Sequence, residues 1–389
     1  MDPIINKSAD RVIPVAEPAI GKSEIEAVTE VVKSGWISQG QKVKEFAHIF
    51  ANSHGKKYGS ACSSGTTALH LALAVCDASD GDEVIIPDFI MIAVANATLL
   101  SGATPVFADV TGGVGNLSLD CIKEKITDKT TAVIVVHTYG EPIDDIIEIS
   151  NYLKKRGIFL IEDCAESHYA VHKSGGMVGS FGDLAIFSFY ANKNITTGEG
   201  GVVITDSKEV RDRLDRIRMH AFTPGKHFCH TERAFGYRMT NMQAAMGIEQ
   251  HRRHEEFMLS RWILRQRYEN NLKGVSCIEN PETTKSSAWW IMPILADGHR
   301  DSLRAALANE GVETRSYFYP MHTQSFLTQY NSGEYPQTNR LSQIGFYLPL
   351  HPTLSVDDID YISEVIVNYD LEQLMGITIT GAYESYKNR

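Results

Sequence analysis

Short runs of consecutive apolar residues alternate along this chain with stretches whose apolar positions recur every three or four residues. The runs fall at 84–86, 105–108, 132–136, 158–161, 185–189 and 202–205. Uninterrupted apolar runs suit strands covered on both faces, so they predict an α/β fold with a mostly parallel sheet and helices on either side. In such a sheet the chemistry collects at the strand ends. Val43, Phe46, Ala47 and Phe50 stand at i, i+3, i+4 and i+7 and predict one buried helix face. Ser23-Glu24-Ile25-Glu26 reads as the capping box of the helix before it.

Beyond the sheet, the stretch 242–272 is rich in Glu, Arg, Gln and Met and reads as one long helix. It is expected to bridge to a smaller C-terminal α+β domain, dividing the chain into a large domain over 1–255 and a small one over 256–389. The small domain should open on the strand-like Ala288-Trp289-Trp290-Ile291-Met292, with both tryptophans in the core, and hold a helix near 301–309. Ser355 is placed to cap another helix. From Met375 onward no period is visible, which suits a tail or a packing extension.

Composition narrows the class. With 389 residues, 43% hydrophobic and 22% charged, the chain can bury a large core. Its longest apolar runs, near 133–136 and 184–187, fall far short of the roughly 20 residues that span a bilayer, and no leader pattern opens the chain. A cytoplasmic protein without membrane partners is expected. The net charge of −11 disfavours a nucleic-acid surface, so an anionic substrate must meet a local basic pocket. Lys226, His227, His230 and Arg238 are candidates for it. The six cysteines are scattered without a C-x-x-C pair, so neither a zinc ribbon nor a redox motif is expected, and no metal.

Three short segments carry candidate chemistry. Lys193 stands in Phe187-Ser188-Phe189-Tyr190-Ala191-Asn192-Lys193, ahead of Gly198-Glu199-Gly200-Gly201. A lysine that burial deprotonates can attack an aldehyde and form a Schiff base. The apolar run at 158–161 leads into Glu162-Asp163-Cys164-Ala165-Glu166, and a strand-end carboxylate is what a pyridinium nitrogen needs as its partner. Ser63-Ser64-Gly65-Thr66-Thr67 opens an alanine- and leucine-rich helix whose free N–H groups suit a phosphate. Together the three point to pyridoxal 5′-phosphate (PLP), although each alone also fits a surface lysine, a loop anchor or an ordinary helix cap.

The order of these motifs resembles the DegT/DnrJ/EryC1/StrS family of sugar aminotransferases. Ser34-Gly35-Trp36-Ile37, Val136-His137-Thr138-Tyr139-Gly140, Tyr237-Arg238-Met239-Thr240-Asn241 and Leu348-Pro349-Leu350-His351-Pro352 extend the match almost from end to end. The resemblance implies the type I aminotransferase fold, a homodimer with shared active sites, and L-glutamate and a nucleotide-sugar as substrates. It makes Lys193 the catalytic residue and PLP anchor, Asp163 the ring-nitrogen partner and Glu166 a neighbour of the phenolic oxygen. Ser64, Gly65, Thr66 and Ser188 then hold the phosphate, and Trp36, Tyr319 and His322 match the sugar side of the pocket. Arg315-Ser316-Tyr317-Phe318-Tyr319-Pro320-Met321-His322-Thr323 looks most like the branch that aminates C4 of GDP-4-keto-6-deoxymannose. Another ketosugar, UDP- or dTDP-linked and aminated at C3 or C4, a cyclitol ketone, and a non-catalytic sensor stay open as alternatives. A 3-dehydratase of the same fold carries histidine at the Schiff-base position, and Lys193 speaks against it.

Two positions depart from the family pattern. Met91, in Pro87-Asp88-Phe89-Ile90-Met91, stands where an aromatic residue usually stacks on the PLP ring. Gly236 replaces an asparagine that reaches the phosphate of the neighbouring subunit, with Asn241 or Arg238 placed to compensate.

Overall fold

The computed structural model describes residues 3–9 and 11–375. Seven strands form the large sheet: β1 Tyr58–Cys62, β2 Glu83–Pro87, β3 Thr104–Ala108, β4 Thr130–Val136, β5 Phe159–Asp163, β6 Leu184–Ser188 and β7 Gly201–Thr205. Their order is β1-β7-β6-β5-β4-β2-β3. All neighbours are parallel except β7, which runs against both β1 and β6. The carboxyl ends of β1 to β6 therefore share one edge with the start of β7. All six apolar runs are strands, and β4 to β7 are buried along nearly their whole length. β1, Tyr-Gly-Ser-Ala-Cys, has no apolar run to announce it.

Helices cover both faces. Helix Gly65–Val75 lies on one with Leu69, Leu71 and Leu73 fully buried, and Val43, Phe46, Ala47 and Phe50 of helix Gln41–Ser53 seal part of the other. The first helix, Lys22–Ser34, starts two residues earlier than a Ser23–Glu26 box requires. The capping carboxylate is Glu24, which accepts the Gly21 N–H at 2.8 Å and pairs with Arg253 at 2.9 Å. Burial in that pair favours Glu24 over the exposed Glu26.

The single long helix expected over 242–272 is two, Asn241–Arg252 and His254–Asn271, broken at Arg253. A hairpin, β8 Phe222–Thr223 with β9 Lys226–His230, lies in the basic loop. The second sheet holds β10 Met292–Leu295, β11 Arg315–Ser316 and β12 Gly345–Leu348 in the antiparallel order β10-β12-β11. Helices His254–Asn271, Arg300–Asn309 and Val356–Met375 pack on it through Leu264, Leu303, Leu307, Ile359 and Ile362. Ser355 and Asp358 cap the last of these reciprocally. Ile13 pairs with Val312, so the N-terminal segment lies against this second layer. The aperiodic stretch past Met375 lies outside the described residues.

The strand expected at 288–292 begins only at Met292, because Trp289 takes a positive φ of 42° and breaks the extended run. Among the described residues no helix is long and apolar enough to cross a membrane. All six cysteines are free thiols.

Candidate active site

The shared edge of the sheet opens into a cavity of about 450 Å³, within the range of ligand sites. Several strands contribute at their ends. Ser64, Gly65 and Thr66 follow β1, Met91 follows β2, Asp163 ends β5, Ser188 ends β6, and Lys193 stands five residues beyond; all line the cavity together with Glu166.

Close approach at the cup depends on two glycines. A Cβ on Gly65 would sit 2.7 Å from the Ser188 Cβ, and one on Gly201 would sit 2.2 Å from the Ser64 carbonyl oxygen. Ser64 caps helix Gly65–Val75 by accepting the Thr67 N–H at 3.2 Å. The first turn of the helix, whose N–H groups no helix carbonyl can reach, therefore lies against Ser188 across a gap only glycine leaves open.

Asp163 is 6% exposed, and one oxygen accepts the Ala165 N–H at 3.0 Å. Burial lifts this carboxyl to about 7; the Ala165 bond opposes the rise, Glu166 adds to it and Lys193 opposes it. A cation in the cavity would return it to the carboxylate. Glu166 accepts the Tyr139 N–H at 2.9 Å, and its other oxygen lies 3.5 Å from the Lys193 Nζ. That bond draws on the positive φ of Tyr139, 55°. The Lys193 Nζ also lies 4.0 Å from the centre of the Trp290 ring, whose Nε1 donates to the Asn192 carbonyl at 2.7 Å.

Glu162, on the opposite face of β5 from Asp163, fixes the strand end. It accepts N–H groups from Gly179, Phe181 and Gly182 and pairs with His137 at 3.0 Å. Burial pushes its carboxyl up, but His137 and these N–H groups outweigh it and hold the pKa below the usual carboxylate value. The His137 Nδ1 accepts the Ile143 N–H, so the ring proton sits on Nε2, toward Glu162. His137, Glu162 and Cys164 lie close enough to suggest a metal cluster. The imidazole and carboxylate are both engaged by the chain.

Four predicted residues lie outside this lining. Asn241 donates to the Trp36 carbonyl at 2.9 Å, and the two flank a separate surface hollow. Tyr319 is exposed. His322 is held by the fully buried Asp88, through its backbone N–H at 2.8 Å and its Nδ1 at 2.6 Å, and stacks on Tyr335. Gly236 bridges Met219. Lys226, His230 and Arg238 are exposed and do not line the cavity, and the His227 side chain lies outside the described residues.

Conversely, Asn192, Glu199, Trp290, Arg315, Phe318 and Tyr347 line the cavity without having been singled out. Both tryptophans are buried in the core as expected, but Trp290 also lines the cavity. Trp289 packs in the second layer, whereas the turn made by its positive φ places Trp290 against Lys193. A lone aromatic in an apolar run carries no sequence signal that separates the two outcomes.

These residues fit PLP. The Ser64–Thr66 turn and Ser188 suit its phosphate, Asp163 a protonated ring nitrogen, and Lys193 its aldehyde carbon. Comparison with known proteins agrees. The chain is 37% identical over 359 residues to GDP-perosamine synthase of Escherichia coli O157:H7, covering 91% of this chain and 97% of that one. The crystal structure of the aminotransferase TlmJ from Streptoalloteichus hindustanus superposes with a TM-score of 0.87 at 29% identity, covering 96% of this chain and all of that one. E. coli GDP-4-keto-6-deoxy-D-mannose-3-dehydratase with bound hydrated PLP gives a TM-score of 0.86 at 25% identity, over 93% and 100% of the two chains. The architecture is that of fold type I, and the protein is a PLP-dependent aminotransferase. With the family's sequence model matched over residues 18–367, the chain belongs to the DegT/DnrJ/EryC1/StrS aminotransferase family.

Proposed function

We propose that this protein transfers the amino group of L-glutamate to a nucleotide-linked 4-keto-6-deoxy sugar, with GDP-4-keto-6-deoxymannose as acceptor and GDP-perosamine as product. The observation that carries amine transfer is the meeting of Lys193, Asp163, Glu166 and the Ser64–Thr66 turn around one cavity. The choice of sugar is supported by the 37% identity to a GDP-perosamine synthase and by the stretch 315–323.

PLP, when bound, supplies an electron sink for the substrate carbon that loses its proton. The chain's own residues do the rest. Lys193 anchors the aldehyde carbon and, once released by the donor amine, carries the proton to and from the substrate carbon. Asp163, whose carboxyl titrates near 7 in the buried site, is drawn to the carboxylate by a positive partner, which ties its charge to a protonated ring. Glu166 holds the Lys193 amine at 3.5 Å, and the Trp290 ring closes one side of it. Trp36, Tyr319, His322 and Asn241 are assigned to a site completed by a second subunit, in keeping with their position outside the single-chain cavity.

The test is mass spectrometry of the product formed from GDP-4-keto-6-deoxymannose and glutamate. An amino sugar is expected, and no product from Lys193→Ala. Turnover by Lys193→Ala would refute the role of Lys193, and amination of a UDP- or dTDP-sugar alone would move the acceptor. A 3-dehydratase shares the fold but Lys193 speaks against that reading, and the same spectrum would separate loss of the C3 hydroxyl by mass.

A further inference from the structure

The loop that carries Lys193 is fastened to the segment before β10 by bonds that converge on one buried arginine. Trp290 Nε1 donates to the Asn192 carbonyl at 2.7 Å, and Asn194 Nδ2 to the Ala288 carbonyl at 3.0 Å. From helix His254–Asn271, the Arg261 Nη1 donates to the carbonyls of Trp290 at 2.9 Å, Trp289 at 3.4 Å and Leu350. Arg261 is 2% exposed, and burial alone pushes its pKa down to about 9. Its neighbours here are carbonyl groups rather than a carboxylate.

Three polar atoms in this joint are buried without a partner among the described residues: Arg261 Nε, Asn192 Oδ1 and Asn194 Oδ1. The residues that carry them line one cavity of about 20 Å³, together with Lys193, Trp290 and Leu350. A single water needs about 10–15 Å³ of such space and makes about three hydrogen bonds. The Asn194 amide cannot simply be turned over, because its Nδ2 is committed to Ala288.

The chemistry selects the occupant. An anion drawn by the guanidinium would face two amide oxygens, and a cation drawn by the oxygens would face the guanidinium. Only a small group that accepts one hydrogen bond and donates two satisfies all three atoms. We propose that this cavity binds one water molecule, which accepts from Arg261 Nε and donates to Asn192 Oδ1 and Asn194 Oδ1. Arg261 is thereby a positioning residue, fixing through this water and the Trp289 and Trp290 carbonyls the indole that lies 4.0 Å from the Lys193 Nζ.

A high-resolution crystal structure of the wild-type enzyme tests the site. A single peak within about 2.7–3.2 Å of all three atoms is expected. Absence of the peak, or an anomalous peak at that point after a bromide soak, overturns the water. This arm uses no substrate, so its failure is distinct from failure of the amine-transfer reading.

The positioning role is tested with Arg261→Lys, which keeps a cationic donor for the carbonyls but has no Nε–H. The peak should vanish, and kcat should fall severalfold with the KM for glutamate unchanged. Unchanged kcat with the peak gone would overturn the role. Should that variant not fold, Asn192→Ala, which removes one acceptor from the cavity, takes its place with the same expected and overturning outcomes.

Discussion

At the scale of single residues, burial lifts the Asp163 carboxyl from its ordinary 3.8 to about 7, so the folded chain holds a proton there that the unfolded chain has already released. Between about pH 4 and pH 7 the folded state therefore binds more protons, and this group's contribution to stability falls as pH rises. In the cofactor-free enzyme, Asp163→Asn should flatten the pH dependence of thermal unfolding over that window. At pH 7.5 it should be more stable than wild type by roughly 1 to 4 kcal/mol, while PLP binding weakens. A second expectation concerns Trp290. A cation over an indole face is worth about 0.5–2 kcal/mol, so Trp290→Leu should lower kcat by roughly two- to thirtyfold with the fold retained by circular dichroism.

At the scale of elements, the cup works because a helix start, a strand end and a strand start meet with no side chain between them. Gly65→Ala places a methyl group 2.7 Å from the Ser188 Cβ, and overpacking of this kind costs about 1–3 kcal/mol. Whether the strain separates the helix start from β6 or shifts Ser188, the phosphate donors no longer converge. Calorimetric titration with PLP should show binding weakened by about tenfold or more, in line with that cost. The end of β5 is held differently, by a buried carboxylate that gathers three N–H groups and an imidazole. Because the Glu162 pKa is lowered, its contribution is present at neutral pH and is lost as pH falls through the folded value. Glu162→Gln should thus lower the melting temperature at pH 7 and narrow the gap to wild type in acid.

Across the whole molecule, Trp36, Ile37, Met91, Tyr190 and Tyr319 expose large apolar surface on one chain. Four of the assigned substrate and cofactor residues, Trp36, Asn241, Tyr319 and His322, stand outside the cavity that one chain builds. Both observations are met if a second copy covers the exposed side chains and brings its own Trp36 and Asn241 toward the site. Sedimentation velocity should give a dimer for the wild type. Trp36→Glu should yield folded monomers with little amine transfer, whereas a fully active monomer would remove the second copy from the reaction.

The strand runs, the helix face at 43–50 and the three chemical segments were legible in the chain because each depends on neighbours a few residues away. A strand covered on both faces must be apolar throughout, and a lysine loop or a helix start keeps its residues contiguous. The break at Arg253, the capping of the first helix by Glu24 and the strand β1 were not legible. The first two rest on one pairing across more than two hundred residues, Arg253 with Glu24, and the third on β7 supplying the hydrogen bonds of a strand with little apolar content. Trp290 is the sharpest case at the site. Its letters match a buried strand, and a positive φ at Trp289 together with the grip of Arg261 turns it toward Lys193. Local pattern thus settled which residues could do chemistry. Long-range pairing, in which β7 reverses and six strand ends share an edge, settled which of them meet, because contact between distant residues depends on the packing of every element between them.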